Sequence, residues 1–194
     1  MGLFECVVNL RDTEQLQQVR DLRAWGPDGI RPDVSADPVR SAIAMFTAEV
    51  LTVVTREGAP DPALWNLIVE TAVHIAYAPA PSIANMPWAF LVRLANILGI
   101  APDITESTRG KGLDMTDGVL RFSAPLTGDW LPPEQTVKLR VCVQAAEAYR
   151  HIRLVRLPRS VRSSLLEGII KYFALHNYPL ERLRSVDILT TVFS

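Results

Sequence analysis

The spacing of apolar residues along this chain changes character several times, and the changes outline the fold. From residue 3 to residue 10 apolar positions alternate, with Phe4, Cys6, Val8 and Leu10 on one side and Glu5 and Asn9 among those on the other. That is the pattern of a half-buried strand. In QLQQVRDLRAW the spacing becomes three, through Leu16, Val19 and Leu22. Such spacing suits a short helix, and the segment suits equally well a strand returning after a turn at residues 12–14. From Gly26 onward, Pro27, Pro32, Pro38 and several aspartates read as extended chain, a linker over 26–36.

Beyond the linker the period is helical. Asp37 and Pro38 precede an apolar stripe of Val39, Ile43, Phe46, Val50 and Val53, and Asp61 with Pro62 repeats the device before Leu64, Leu67, Ile68 and Ile75. An aspartate can accept from the first N–H groups of a helix, and a proline suits its first position. A short turn at Gly58 would make these two helices antiparallel. A third helix runs through Trp88, Phe90, Leu91, Leu94, Ile97 and Leu98 to Gly99. Residues 100–131 lose the period, with glycines at 110, 112, 118 and 128 and a brief alternation in GVLRFS that suits a small hairpin, so this stretch reads as a loop insertion. Helices resume over about 134–153, about 158–177 and from about Ser185 to Phe193. The predicted fold is mainly α: a helical bundle over 37–194, preceded by a short β stub over 1–25.

Composition adds limits. A chain of 194 residues that is 48% hydrophobic can bury one sizeable core. Its two cysteines, Cys6 and Cys142, are isolated, which suits a reducing cytoplasm and excludes a cysteine-only zinc cluster. No metal or cofactor is implied. Glu5 stands where a signal peptide would be basic, and Arg93 and Asn96 interrupt the longest apolar run, so a cytoplasmic protein without a membrane span is expected.

Charge is uneven. Between Lys138 and Arg184 ten Lys or Arg face Glu147, Glu167 and Glu181, a net +7 in a chain whose formal charge is −1, which leaves −8 for the rest. Within this half, YRHIRLVRLPRSVR places Arg150, Arg153, Arg156, Arg159 and Arg162 three residues apart. Steps of three fall about 60° short of a helical turn, and Pro158 interrupts the run, so the five cannot share one helical face. Arg150 and Arg153 would close one helix, where cations suit the dipole; Arg159 and Arg162 would open the next, where they oppose it. An anionic partner and an ordinary solvated edge both account for such a run.

The strong catalytic signatures, a Gly-rich phosphate loop, HExxH, GxSxG and paired cysteines, are absent. His74 and His176 read as packed structural histidines. Glu49 and Glu70 would form a carboxylate pair only if their helix faces met. Trp65, Trp88 and Phe90 could line a groove, although aromatic residues at helical spacing usually belong to a core. A non-enzyme is expected.

Three stretches in order, SAIAMFTAEVLTVVTREGAPDPALWNLIVE, PWAFLVRLANILGIAPD and IIKYFALHNYPLERLRSVDILTTVF, resemble the helical domain of the recombination mediator RecO family. The shared signals are AxxxAEVL with its acidic, proline-containing turn and LWNLI, then FLxRLxxxLGIxPD, then YxxxH with LxSxxxL. The likeness is nearest to the family's zinc-free branch in Bacteroidetes. Family members begin with an oligonucleotide-binding barrel, so the resemblance implies that residues 1–25 are its last strands, which favours strand for 15–24, and that most of the barrel lies outside this sequence. Where many relatives carry a four-cysteine zinc module, residues 100–131 hold no cysteine, and zinc is not carried over.

The resemblance implies a non-catalytic DNA-repair factor that binds single- and double-stranded DNA, anneals strands, joins RecR, and takes the acidic C-terminal tail of single-stranded DNA-binding protein on its helical domain. A tail ending in an aromatic ring and a carboxylate needs an apolar groove beside a cation. Phe90, Leu94 and Ile97 with Arg93 are the candidates on the matching helix. Under the same reading Arg150, Arg153, Arg156, Arg159, Arg162, Lys171, Arg182 and Arg184 form a face that holds phosphates without reading bases. The competing reading is a helical module that binds a peptide or small ligand and uses its charge only for solubility.

Overall fold

The computed structural model describes residues 4–12, 15–24, 34–55, 61–104, 108–126, 128–147 and 149–192. The turn expected at Gly58, the linker up to residue 33 and Phe193 lie outside them. Strands β1 (Phe4–Asp12) and β2 (Gln15–Ala24) form an antiparallel pair. The three-residue spacing in β2 thus belongs to a strand, and the register explains it. Cys6, Val8 and Leu10, two apart, stand opposite Leu22, Val19 and Leu16, three apart, because the pairing shifts between Val7 and Val8 and again between Asn9 and Leu10. Each shift passes over one residue of β2, as a bulge does.

The remainder is mainly helical. Helix α1 (Pro38–Val54) begins where Asp37 Oδ1 accepts from Val39 N at 2.9 Å and Arg40 N at 3.2 Å, and α2 (Pro62–Tyr77) where Asp61 Oδ1 accepts from Ala63 N at 2.9 Å and Leu64 N at 3.0 Å. The Arg40 guanidinium donates to the carbonyls of Ile75 and Ala78, satisfying orphan acceptors at the end of α2 and bolting it to α1. A single turn, α3 (Ala80–Ile83), leads into α4 (Met86–Ile97), and only Arg93 is charged on this helix. Met86 through Val92 are all buried, as are Leu94 and Ala95, and α4 packs against α1, α2, α5, α6 and α7. A helix apolar on most sides takes the centre of a bundle.

The described residues of 100–131 hold more regular structure than a loop insertion. They hold a three-stranded antiparallel sheet in the order β4 (Val119–Arg121), β3 (Gly112–Asp114), β5 (Trp130–Leu131). GVLRFS supplies β4, after a turn at Gly118 with φ +71°. The sheet is hooked to the bundle by Leu113 N, which donates to Thr136 Oγ1 at 3.1 Å, and by the buried side chains of Leu113 and Met115.

Helix α5 (Pro133–Ala146) stops short of the expected 153, and α6 (Tyr149–Ile152) is a separate turn. Tyr149 is buried, with its hydroxyl 2.6 Å from Thr71 Oγ1, while the Asn85 amide donates to Ile152 O at 3.0 Å and Val155 O at 2.8 Å. These carbonyls are claimed from outside the helix. After a turn and an irregular connection, α7 (Arg159–Leu175) and α8 (Arg184–Val192) complete the described helices. Among the described residues no helix is long and apolar enough to cross a membrane, and no group of three His, Cys, Asp or Glu could hold a metal ion.

Candidate nucleic-acid interface and adjoining groove

The arginine run begins in α6 and ends in the first turn of α7, with a turn at 153–154 and an irregular segment over 155–158 between. Arg153 is exposed in the turn and Arg156 in the irregular segment, Arg159 is exposed as the first residue of α7, and Arg162 is half-buried one turn later. Ile152 is fully buried and Val155 and Leu157 are half-buried. These apolar anchors, with Asn85 holding two carbonyls, fix the backbone from which the guanidiniums project. Among the described residues no carboxylate is bonded to Arg153, Arg156 or Arg159. Burial, and then the charge of Arg159, pull the Arg162 pKa below its usual value, and a guanidinium so shifted still carries its charge.

The other cations are placed differently. Lys171 is exposed and ion-paired with Asp129, which ties α7 to the residue just before β5. Arg182 and Arg184 are exposed beyond the far end of α7, a 17-residue helix and therefore about 25 Å long at 1.5 Å per residue. Apart from Arg150, whose side chain lies outside those described, the candidate cations thus divide into a local group around the start of α7 and a pair beyond its far end, with Lys171 ion-paired.

The four tail-binding candidates on α4 are placed differently from one another. Phe90 is 1% exposed and Leu94 is fully buried, so both serve the core. Ile97 is half-buried against the same core. The Arg93 guanidinium lies 4.5 Å from the centroid of the Tyr149 ring and its Nη1 is 2.6 Å from Glu70 Oε2. Burial pushes the Tyr149 hydroxyl up to about 12, so it stays neutral beside this pair. Apart from Arg93 and Asn96, helix α4 is apolar, and its apolar positions do not separate a groove-facing side from a core-facing one.

A groove does open on an adjacent side of α4. It has a volume of about 210 Å³ between α4, α5, α7 and the small sheet. Val92, Leu139, Val143, Leu165, Ile169 and Phe173 supply apolar lining, and Lys138, Gln135, Ser160 and Ser164 supply polar groups. Lys138 is exposed. The groove therefore combines apolar walls with one ammonium, the chemistry expected at Phe90 and Arg93 but built from α5 and α7. The apolar spacing of Leu165, Ile169 and Phe173 was the available signal.

The remaining candidates are structural. Glu49 accepts from Ser185 N at 3.0 Å and Ser185 Oγ at 2.7 Å, and these bonds hold its pKa below the ordinary 4.5. Glu70 is engaged by Arg93, so the two carboxylates serve separate partners. His74 Nδ1 is 3.0 Å from Glu70 O with its ring on Tyr149, and His176 Nε2 is 3.2 Å from Met115 O with its ring on Tyr172. Trp88 is buried, its indole donating to Asn85 Oδ1 at 3.2 Å, while Trp65 is exposed. Burial pushes the Cys142 thiol up to about 12, which keeps it unreactive.

Residues 35–177 match the family described as recombination protein O C terminal. The chain is 31% identical over 162 residues to a protein of Porphyromonas gingivalis named DNA repair protein RecO, an alignment that covers 82% of this chain and 65% of that relative. Proteins of the same name from Phocaeicola vulgatus and Bacteroides fragilis are 27% and 26% identical over 194 residues, covering 100% of this chain and 78% of each relative. The chain thus spans just under two thirds of the first relative's length. No solved structure matches it. With most of its helical region inside the matched stretch, the chain belongs to the recombination protein O family, in the part that forms the C-terminal region.

Proposed function

We propose that this protein serves DNA repair as a recombination mediator without chemistry of its own. It holds single- and double-stranded DNA by the phosphates, takes the C-terminal tail of single-stranded DNA-binding protein, and works with RecR in strand annealing and recombinase loading. A bacterial cytoplasm, at the nucleoid during repair, is the setting this implies. The observation that carries the DNA reading is the group Arg153, Arg156 and Arg159, exposed on an anchored backbone with no carboxylate of the described residues bonded to them. Guanidiniums so placed can neutralise phosphates, and no base-reading motif accompanies them.

The groove supports the tail reading. Its apolar lining suits a terminal aromatic ring, and Lys138 is the cation positioned for a carboxylate. The same groove also favours a second reading, a peptide-binding module whose charge only solubilises it. Binding of short oligonucleotides and of an acidic peptide ending in phenylalanine, measured across a salt series, separates them. Affinity for DNA should fall steeply with salt while insertion of the ring into the groove should not. Retained peptide binding without any DNA binding would leave only the second reading.

A further inference from the structure

The three-stranded insert carries an aromatic ring that the core does not use. Phe122, one residue past β4, is 77% exposed, and Leu126 is fully exposed, whereas Leu113 and Met115 of the same insert are buried. An exposed phenylalanine alone is unremarkable in a folded protein. This one has a cation at its face: Lys111 Nζ lies 5.2 Å from the ring centroid, a favourable cation–π distance. Its support is also rigid. The neighbouring Arg121 is held by Asp114 at 2.8 Å and Asp117 at 2.5 Å, and β4 is paired to β3, which Thr136 hooks to α5. Finally, the insert is fastened to the helix that begins with Arg159: Lys171 pairs with Asp129, and Tyr172 donates to Ile100 O at 2.7 Å.

We propose that the insert is a stacking platform for single-stranded nucleic acid, with one unpaired base lying on the Phe122 ring and Lys111 beside it for the adjoining phosphate. The proposal rests on the reading that the protein binds DNA, and it adds a preference that the arginine group lacks. Phosphate contacts are open to duplex and single strand alike, whereas only an unpaired base can offer its face to a protein ring. Every base has such a face, so the platform does not discriminate sequence.

The test uses the whole 194-residue chain, labelled oligothymidine and a duplex of equal length, with fluorescence anisotropy at fixed salt. Phe122→Ala should weaken oligothymidine binding about five- to a hundredfold, the range for loss of one stacked base. Duplex affinity should stay within about twofold, and the salt slope should not change, because that slope counts phosphates. Phe122→Tyr should restore binding. An unaltered melting temperature would place the effect in binding rather than folding. If the wild type binds both nucleic acids and Phe122→Ala binds oligothymidine equally well, the platform is overturned and the arginine reading stands. Equal losses on duplex and single strand, or failure of Phe122→Tyr to rescue, also overturn it. If the wild type binds neither, both readings fall.

Discussion

Asn85 should decide whether the arginine segment keeps its shape. It is 2% exposed, and its amide makes three bonds: to Ile152 O at 3.0 Å, to Val155 O at 2.8 Å, and from Trp88 Nε1 at 3.2 Å. Asn85→Ala removes all three. The buried Trp88 indole loses a partner that water cannot readily replace, the Ile152 carbonyl keeps only its 3.2 Å bond from Val155 N, and the Val155 carbonyl is part-buried and can be partly rehydrated. At about 1 kcal/mol per bond, the change should cost about 3 kcal/mol. For a domain of this size each kcal/mol lowers the melting temperature by about 2–4 °C, so a fall of about 6–12 °C is expected. The loss should be local as well as global. Hydrogen exchange at residues 152–158 should accelerate more than in α4, and DNA affinity should drop because the guanidiniums at 153 and 156 no longer share a fixed backbone. Asn85→Asp should do at least as much harm, since a carboxylate cannot donate to either carbonyl. A melting temperature within about 2 °C of the wild type, with unchanged exchange at 152–158, would refute the view that this amide ends α6 and sets the segment.

Glu49→Gln should lower the melting temperature at neutral pH by weakening the cap on α8. Because the folded pKa of Glu49 lies below 4.5, the stabilisation is present above that value and is lost as pH falls through the lower folded pKa, so the two melting curves should converge in acid. Gly112→Ala should destabilise by about 1–3 kcal/mol through overpacking, because an added Cβ would lie 2.3 Å from the Trp130 ring and 2.5 Å from Leu131 O; denaturant melts would measure it. For the tail peptide, amidating its C-terminus or changing Lys138→Ala should reduce affinity about ten- to a hundredfold by calorimetry, for loss of a charge-assisted contact of about 1.5–3 kcal/mol. Arg93→Ala should alter stability instead of peptide affinity, and equal peptide binding by Lys138→Ala would remove the groove's cation from the account.

The parts of the fold legible in the sequence are those set by local chemistry. Asp37 and Asp61 announce the starts of α1 and α2 because a cap, its proline and the stripe that follows lie within a few residues. Strand β2 is ambiguous for a physical reason: a strand with two register shifts carries its apolar residues three apart, as a helix edge does. The end of α6 has no local sign, since the Asn85 amide that takes the Ile152 carbonyl is 67 residues away in sequence. Nor can periodicity tell Phe90 and Leu94, buried in the core, from Val92 on the groove side of the same helix. The motifs behind the family resemblance prove to be fastenings between elements. Glu49 of AEVL caps Ser185 of LxSxxxL, and Tyr172 of YxxxH donates to Ile100 of LGIxPD. They identify the family and hold its fold, while the exposed residues proposed to meet DNA are found through charge and burial.

The most direct test of the mediator reading is the salt dependence of duplex affinity for the wild type and for the triple variant Arg153→Glu, Arg156→Glu, Arg159→Glu. Three neutralised phosphates should give the wild type a log–log slope of about −2 to −3. The triple variant should keep its circular dichroism and melting temperature, because all three side chains are exposed, and lose measurable binding. A flat salt response, or undiminished binding by a correctly folded triple variant, would contradict the assignment of the DNA interface to this segment.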